Sequence, residues 1–114
     1  MLAADFLDLM QARREIIAAA ESVFAPYDAI LLPTTQWIAP CIADLEASDD
    51  AYFHANGAML RNTSIFNFLD GCGLSIPIHR QGEAPVGLMI ANSSGLDRQV
   101  VEAGAAIEAL KLHR

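Results

Sequence analysis

Apolar residues recur every three or four positions along the start of the chain. Leu2, Phe6, Leu9, Ala12, Ile16, Ala19 and Val23 share one helical face, and Arg13, Arg14, Glu15 and Glu21 lie off that stripe. Pro26 has no amide hydrogen to give a helix, so the element is expected to end near Phe24. The period then changes. Ala29-Ile30-Leu31-Leu32, between Asp28 and Pro33, is a continuous apolar run, which predicts a strand buried on both faces. Such a strand needs neighbours, and the chain offers few, so the sheet is expected to be incomplete. Residues 34–47 mix polar and apolar positions around Pro40 and read as irregular. Ser48, Asp49 and Asp50 offer side-chain oxygens to the free amides of a first helical turn. Tyr52, Ala55, Met59, Thr63, Phe66 and Leu69 follow at helical spacing, and Asp70-Gly71 is the expected stop, with glycine taking the left-handed conformation. Leu74 to Ile78 and Val86 to Ala91 read as strands of a hairpin around the polar loop from His79 to Pro85, with Pro77 at an edge or strand end. Ser94-Gly95-Leu96-Asp97 fits a capping box before a last helix whose stripe is Val100, Ala103, Ile107 and Leu110. This order predicts one α/β or α+β layer with a single helical side.

Composition narrows the function classes. The chain has 114 residues, enough for one domain, residues 1–114, with one core. Its formal net charge of −7 argues against nucleic acid and against an anionic membrane surface, both of which reward a basic patch. No apolar run reaches the ~18 residues of a membrane span. Met1 to Asp8 carries two acids and no base, unlike a secretory signal. Cys41 and Cys72 lie far apart without metal-ligand spacing; buried free thiols in a cytoplasmic protein are the favoured reading, and a disulfide is the alternative. The hydrophobic content of 54% is high for a small domain, and two explanations stand open: a dense, alanine-rich helical core, or an exposed apolar patch that meets a partner.

Candidate chemistry is sparse. A serine nucleophile needs a base within hydrogen-bond reach and donors for the oxyanion. No nucleophile-elbow motif surrounds Ser22, Ser48, Ser64, Ser75, Ser93 or Ser94, and His54, His79 and His113 are scattered, with no spacing suited to a metal. Asp49-Asp50 reads as a helix start. Lys111, the only lysine, sits where the last turn of the last helix is expected and suits its dipole. Gly71-Cys72-Gly73 is not a phosphate loop and reads as a tight helix-to-strand turn. No catalytic residue, metal site or cofactor is assigned from these patterns.

Four segments in order carry a resemblance. Tyr27-Asp28-Ala29-Ile30-Leu31-Leu32-Pro33-Thr34-Thr35 resembles the segment of the amidase-signature family in which a Tyr-Asp start leads through an apolar strand to Pro-Thr. The family's Arg-x-Thr, later Asn, and Gly before a strand ending in Pro are matched by Arg61-Asn62-Thr63, by Asn67, and by Gly71-Cys72-Gly73-Leu74-Ser75-Ile76-Pro77. Its Pro-Val-Gly-Leu strand is matched by Pro85-Val86-Gly87-Leu88-Met89-Ile90, and its last helix by Asp97 and Glu108. Gly73 departs from the Ala or Pro common in the family, and no glycine follows Pro77-Ile78.

The resemblance implies the C-terminal quarter of an amidase: a few strands of a mixed sheet packed with about three helices. The family cleaves amides with a Ser–cis-Ser–Lys triad and an oxyanion-holding Gly/Ser-rich loop, both lying in regions this sequence lacks. Asn92-Ser93-Ser94-Gly95 falls between the last strand and last helix and is not that loop. The resemblance points to Thr34, Thr35 and Trp37 as substrate-binding residues, and to Thr63 and Asn67 as groups that bond buried backbone. It implies a pocket-wall role without activity of this chain alone, a small amide as the parent's substrate, and the rest of an amidase or a second copy as partner. The alternative expectation is a stand-alone dimeric interaction module.

Overall fold

A computed structural model describes residues 1–110. The elements are α1 (Ala3–Phe24), β1 (Ile30–Pro33), α2 (Ile42–Glu46), α3 (Asp49–Phe68), β2 (Cys72–Pro77), β3 (Gly87–Asn92) and α4 (Asp97–Glu108). The short α2 falls in the segment expected to be irregular.

The strands form one antiparallel sheet in the order β1-β3-β2, with Ile30 opposite Ala91 and Leu74 opposite Ile90. β2 and β3 are the expected hairpin, and Pro77 ends an edge strand, where a missing amide hydrogen costs no ladder bond. The alternation of β3 puts side chains into two cores. Met89 and Ala91 pack with Phe66 of α3, Phe24 of α1, Ile30 and Leu32. Ile90, fully buried, packs with Ile76 and with Val100 of α4, flanked by Leu74 and Leu88. Helices thus lie on both faces of the sheet, not on one side as the element order suggested. β1 is an edge strand buried on one face only: Leu31 points to the α4 side and is 53% exposed.

The ends of the helices agree with expectation at one place and differ from it at two. Ser48 caps α3 by accepting from Ala51 N–H at 3.1 Å, as expected. At the other end it is Asp70, with φ 54°, that takes the left-handed conformation. Gly71 is needed for another reason: a Cβ there would lie 2.6 Å from the Asn92 carbonyl oxygen and 3.1 Å from Phe66 Cδ1. The Ser94 capping box does not form. α4 starts at Asp97 with Leu96 as its cap residue and no side-chain cap bond. Gly104 lets α4 approach the sheet, since a Cβ there would overlap Leu74 Cδ2.

The first helix presents a different face from the one expected. Its inner positions are Arg13, Ile17, Ala20 and Phe24, while Leu2, Phe6, Leu9, Ile16 and Val23 are exposed. The helix is held by Phe24 stacked on Phe66, ring centroids 6.0 Å apart, and by Arg13, which ion-pairs with Asp70 at 2.6 Å and lies over the Phe68 ring. The periodicity was real, but nothing among the described residues covers the stripe it marks.

Candidate functional site

The candidate site lies where β1 ends. Pro33 closes the strand, and its carbonyl accepts from Asn62 Nδ2 at 2.7 Å. Thr34 N–H donates to Gly87 O at 2.9 Å, so the ladder runs one step further. That step sets the Thr34 hydroxyl against β3. It meets the Ser75 hydroxyl of β2 at 2.5 Å, the pair spanning β3 above Gly87. The contact requires glycine: a Cβ on Gly87 would lie 2.6 Å from Ser75 Oγ and 2.7 Å from Thr34 Oγ1.

Two hollows share this hydroxyl pair. One, of about 360 Å³, runs beneath α3 and is lined further by Thr63, Phe66, Asn67, Gly73 and Met89. The other, of about 330 Å³, is lined further by Thr35, Pro77, His79, Val86 and Gly87. Together they make a trough on the α3 side of the sheet, polar at its middle and apolar along its floor. Neither hollow is lined by an Asp, Glu, Lys or Arg. His79 Nδ1 lies 3.2 Å from Val86 N and 3.3 Å from Val86 O, so the ring is tied to the Val86 backbone.

The three residues singled out in sequence separate here. Thr34 lies at the centre of the trough. Thr35 lines one end, and its hydroxyl donates to Trp37 O at 2.8 Å, tightening the loop after β1. Trp37 lines neither hollow. It packs against the His54 ring of α3, with centroids 5.6 Å apart, and is 44% exposed. Thr63 and Asn67 both line the trough, but Thr63 donates to Leu60 O in its own helix. Asn62, between Arg61 and Thr63, and Asn92 also bond backbone, and they do so in other elements of the fold. Asn92 is 2% exposed, donates to Asp28 O at 2.9 Å and accepts from Ser93 N–H at 2.8 Å. Ser75, Gly87 and Asn62 fall in segments that resemble the family but were not singled out there; their roles come from partners in other elements, as does that of Asn92.

The remaining polar groups build no nucleophile among the described residues. Ser22 and Ser64 donate to carbonyls one helical turn back, and Ser48 is a cap. Ser93 and Ser94 line a separate hollow with Glu21, Tyr27 and Gln99. Among the described residues no serine hydroxyl bonds a histidine. Both cysteines are free: Cys41 is exposed, against expectation, and Cys72 is half-buried. Burial pushes the Cys72 thiol up, the Asp97 carboxylate adds to this, and Sγ donates toward Ser93 O at 3.4 Å, so it stays a thiol at neutral pH. Lys111 and His113 lie outside the described residues. No described helix is long and apolar enough to cross a membrane.

A family model described as Amidase matches residues 2–101. The chain is also similar to a 2-amino-5-chloromuconic acid deaminase of Comamonas testosteroni, with 31% identity over 94 residues, covering 82% of this chain and 20% of that protein. The chain therefore spans about one fifth of the length of the curated relative it matches. No solved structure matches.

Proposed function

From a chain that belongs to the amidase family, we propose that it serves as scaffold and pocket wall of an amidase whose bond-breaking groups lie outside this sequence. The parent reaction is hydrolysis: water adds to a carboxamide carbonyl, the C–N bond breaks, and a carboxylate and ammonia or an amine leave. On this reading Thr34 and Thr35 face the substrate pocket, and Trp37 supports the loop that carries them. The partner is the rest of an amidase, and the setting is the cytoplasm, a choice supported by the two free thiols.

The observation that carries the reading is surface. A compact monomer of 12.3 kDa exposes about 6,100 Å², yet this one exposes 8074 Å². Its radius of gyration is 17.3 Å where about 13 Å is usual for the length. The excess, about 2,000 Å², is more than twice the ~800 Å² that one partner buries in a standard interface. It includes the apolar stripe of α1 and an open hollow of about 450 Å³ between α1 and α3, lined by Ile16, Ala20, Ile65, Phe68 and Leu69. A body that leaves this much apolar area in water is suited to be one part of a larger fold.

The test is an assay of this chain by itself with simple aliphatic amides and with a serine-reactive fluorophosphonate. No turnover and no adduct are expected. Turnover, or an adduct mapped to Ser93 or Ser94, refutes the reading.

A further inference from the structure

We propose that this chain pairs with a second copy of itself through α1: the first three turns of α1 in one copy lie in the hollow between α1 and α3 of the other, with Phe6 and Leu9 as the anchoring side chains. The inference goes beyond the pocket-wall reading and does not depend on it.

The shape of α1 is the first argument. The helix has 22 residues, about 33 Å of length, but protein lies beneath its second half only. Residues 1–12 are all exposed, and the helix first meets the body at Arg13. Steps of seven residues keep to one face of a helix. Leu2, Leu9 and Ile16 form one such row, and Phe6, Arg13 and Ala20 form the row beside it. Ile16 and Ala20 are the α1 wall of the open hollow of about 450 Å³, which Ile65, Phe68 and Leu69 complete. The rows that wall the hollow therefore continue along the arm as a bare apolar ridge. A two-fold interface needs both halves of its contact on every copy, and here ridge and groove share one face. Antiparallel packing about an axis near Ala12 sets Phe6 level with the partner's Ala18, between the two α1 residues that wall the hollow. It also brings Leu9 beside the partner's Ile16.

The chemistry of that face is the second argument. The one polar group lining the hollow, the Ser64 hydroxyl, already donates to Leu60 O at 2.7 Å. Arg13, near the axis, is neutralised by Asp70 and covers the Phe68 ring. Closing the face therefore leaves neither group without a partner. Asp5, Asp8, Glu15 and Glu21 outnumber Arg13 and Arg14 along α1, which disfavours an anionic lipid surface as the occupant. Area is the third argument. A standard interface takes about 800 Å² from each partner, and this chain exposes about 2,000 Å² more than a compact monomer. Pairing leaves about 1,200 Å² for the rest of an amidase at the sheet edges and the trough, so the two readings do not compete for surface.

The test is sedimentation velocity of this chain from about 2 to about 200 µM at physiological salt, where surface charges are screened. The mass should rise with concentration to twice the 12.3 kDa of one chain and stop there. Phe6→Glu and Ile65→Lys should each raise the dissociation constant at least about a hundredfold, because two-fold symmetry counts every anchor twice. Both positions are exposed, so the far-UV circular dichroism of each variant should match wild type. Leu9→Asp is a second arm variant and should act as Phe6→Glu does. Mixed one to one, Phe6→Glu and Ile65→Lys should dimerise again, because one contact is then native and the other joins the introduced carboxylate to the introduced ammonium. A monomer at every concentration, a dimer that these variants leave intact, or a mixture that stays monomeric each overturns the proposal. Amide turnover or a serine adduct would refute the pocket-wall reading without changing these masses, so the two failures are separable.

Discussion

Gly57 and Gly71 are both glycines of the α3 segment, and the same substitution should act on them with opposite sign. Gly57 sits mid-helix, and an added Cβ meets nothing within 4 Å. Gly57→Ala restricts the unfolded chain and should stabilise the fold by about 0.5–1 kcal/mol. Gly71 adopts no positive φ, so backbone freedom does not explain it. Its added Cβ would lie 2.6 Å from the Asn92 carbonyl oxygen and 3.1 Å from Phe66 Cδ1. Relief requires β2 to move from β3 or Phe66 to leave its place against Met89 and Ala91. Asn92 is buried and tied at both ends of its side chain, so that strand has little room to yield. Overpacking against such a neighbour costs about 1–3 kcal/mol. The two variants should therefore differ by about 1.5–4 kcal/mol. Urea unfolding followed by far-UV circular dichroism reads this directly, with a slope of about 1–2 kcal/mol per molar urea for a small domain. The Gly57→Ala midpoint should rise and the Gly71→Ala midpoint fall. Midpoints that move the same way, or a Gly71→Ala midpoint at or above wild type, would refute the contact argument.

Two further outcomes follow from single contacts. Asn92→Asp turns the donor facing Asp28 O into an oxygen and buries a charge beside it, with an expected loss of about 2–4 kcal/mol. Asn92→Ala should cost less, about 1–3 kcal/mol, because Gln99 Nε2 still donates to Asp28 O and only Ser93 N–H loses its acceptor; urea midpoints in the reverse order would refute this account. Arg13 beside Asp70 holds its carboxyl below the ordinary 3.8. A depressed folded value means the contribution is complete above the unfolded value and disappears as pH falls through the folded one, below about 4. Amide exchange of α1 relative to the sheet should therefore accelerate on acidification in wild type, and Asp70→Asn should show the faster rate at every pH; a pH-independent ratio between them would disprove the link.

Local patterns carried much of the fold. The helix limits at Phe24 and Ser48, the hairpin and the terminal position of Pro77 each depend on residues close in sequence: a proline without a donor, a serine with an acceptor, an alternation bounded by polar loop residues. The element order carried less. It counted helices but could not say that β3 would sit between β1 and β2, and that central place is what sends Met89 and Ala91 to one helix layer and Ile90 to another. The left-handed residue was misplaced by one position because Asp and Gly both tolerate that conformation, and the choice was settled by a carbonyl twenty-one residues away in sequence.

The trough shows where such reading stops. Thr34 could be picked out because it follows a strand-ending proline in a segment resembling a known family. Ser75 also lies in a segment resembling the family, but a serine in an edge strand is ordinary and nothing in that segment sets it apart. Its meaning comes from Thr34, 41 positions away, and from Gly87, which leaves the space in which the two hydroxyls meet. The same limit applies to α1. Its period announced a helix, but a stripe says only that a face is apolar, not which neighbour covers it, and the inner face proved to be Arg13, Ile17, Ala20 and Phe24. A helix with an apolar stripe left in water and a trough with an uncharged floor are complementary features of one open-edged sheet: the first needs protein against it, and the second needs protein around it to exclude water.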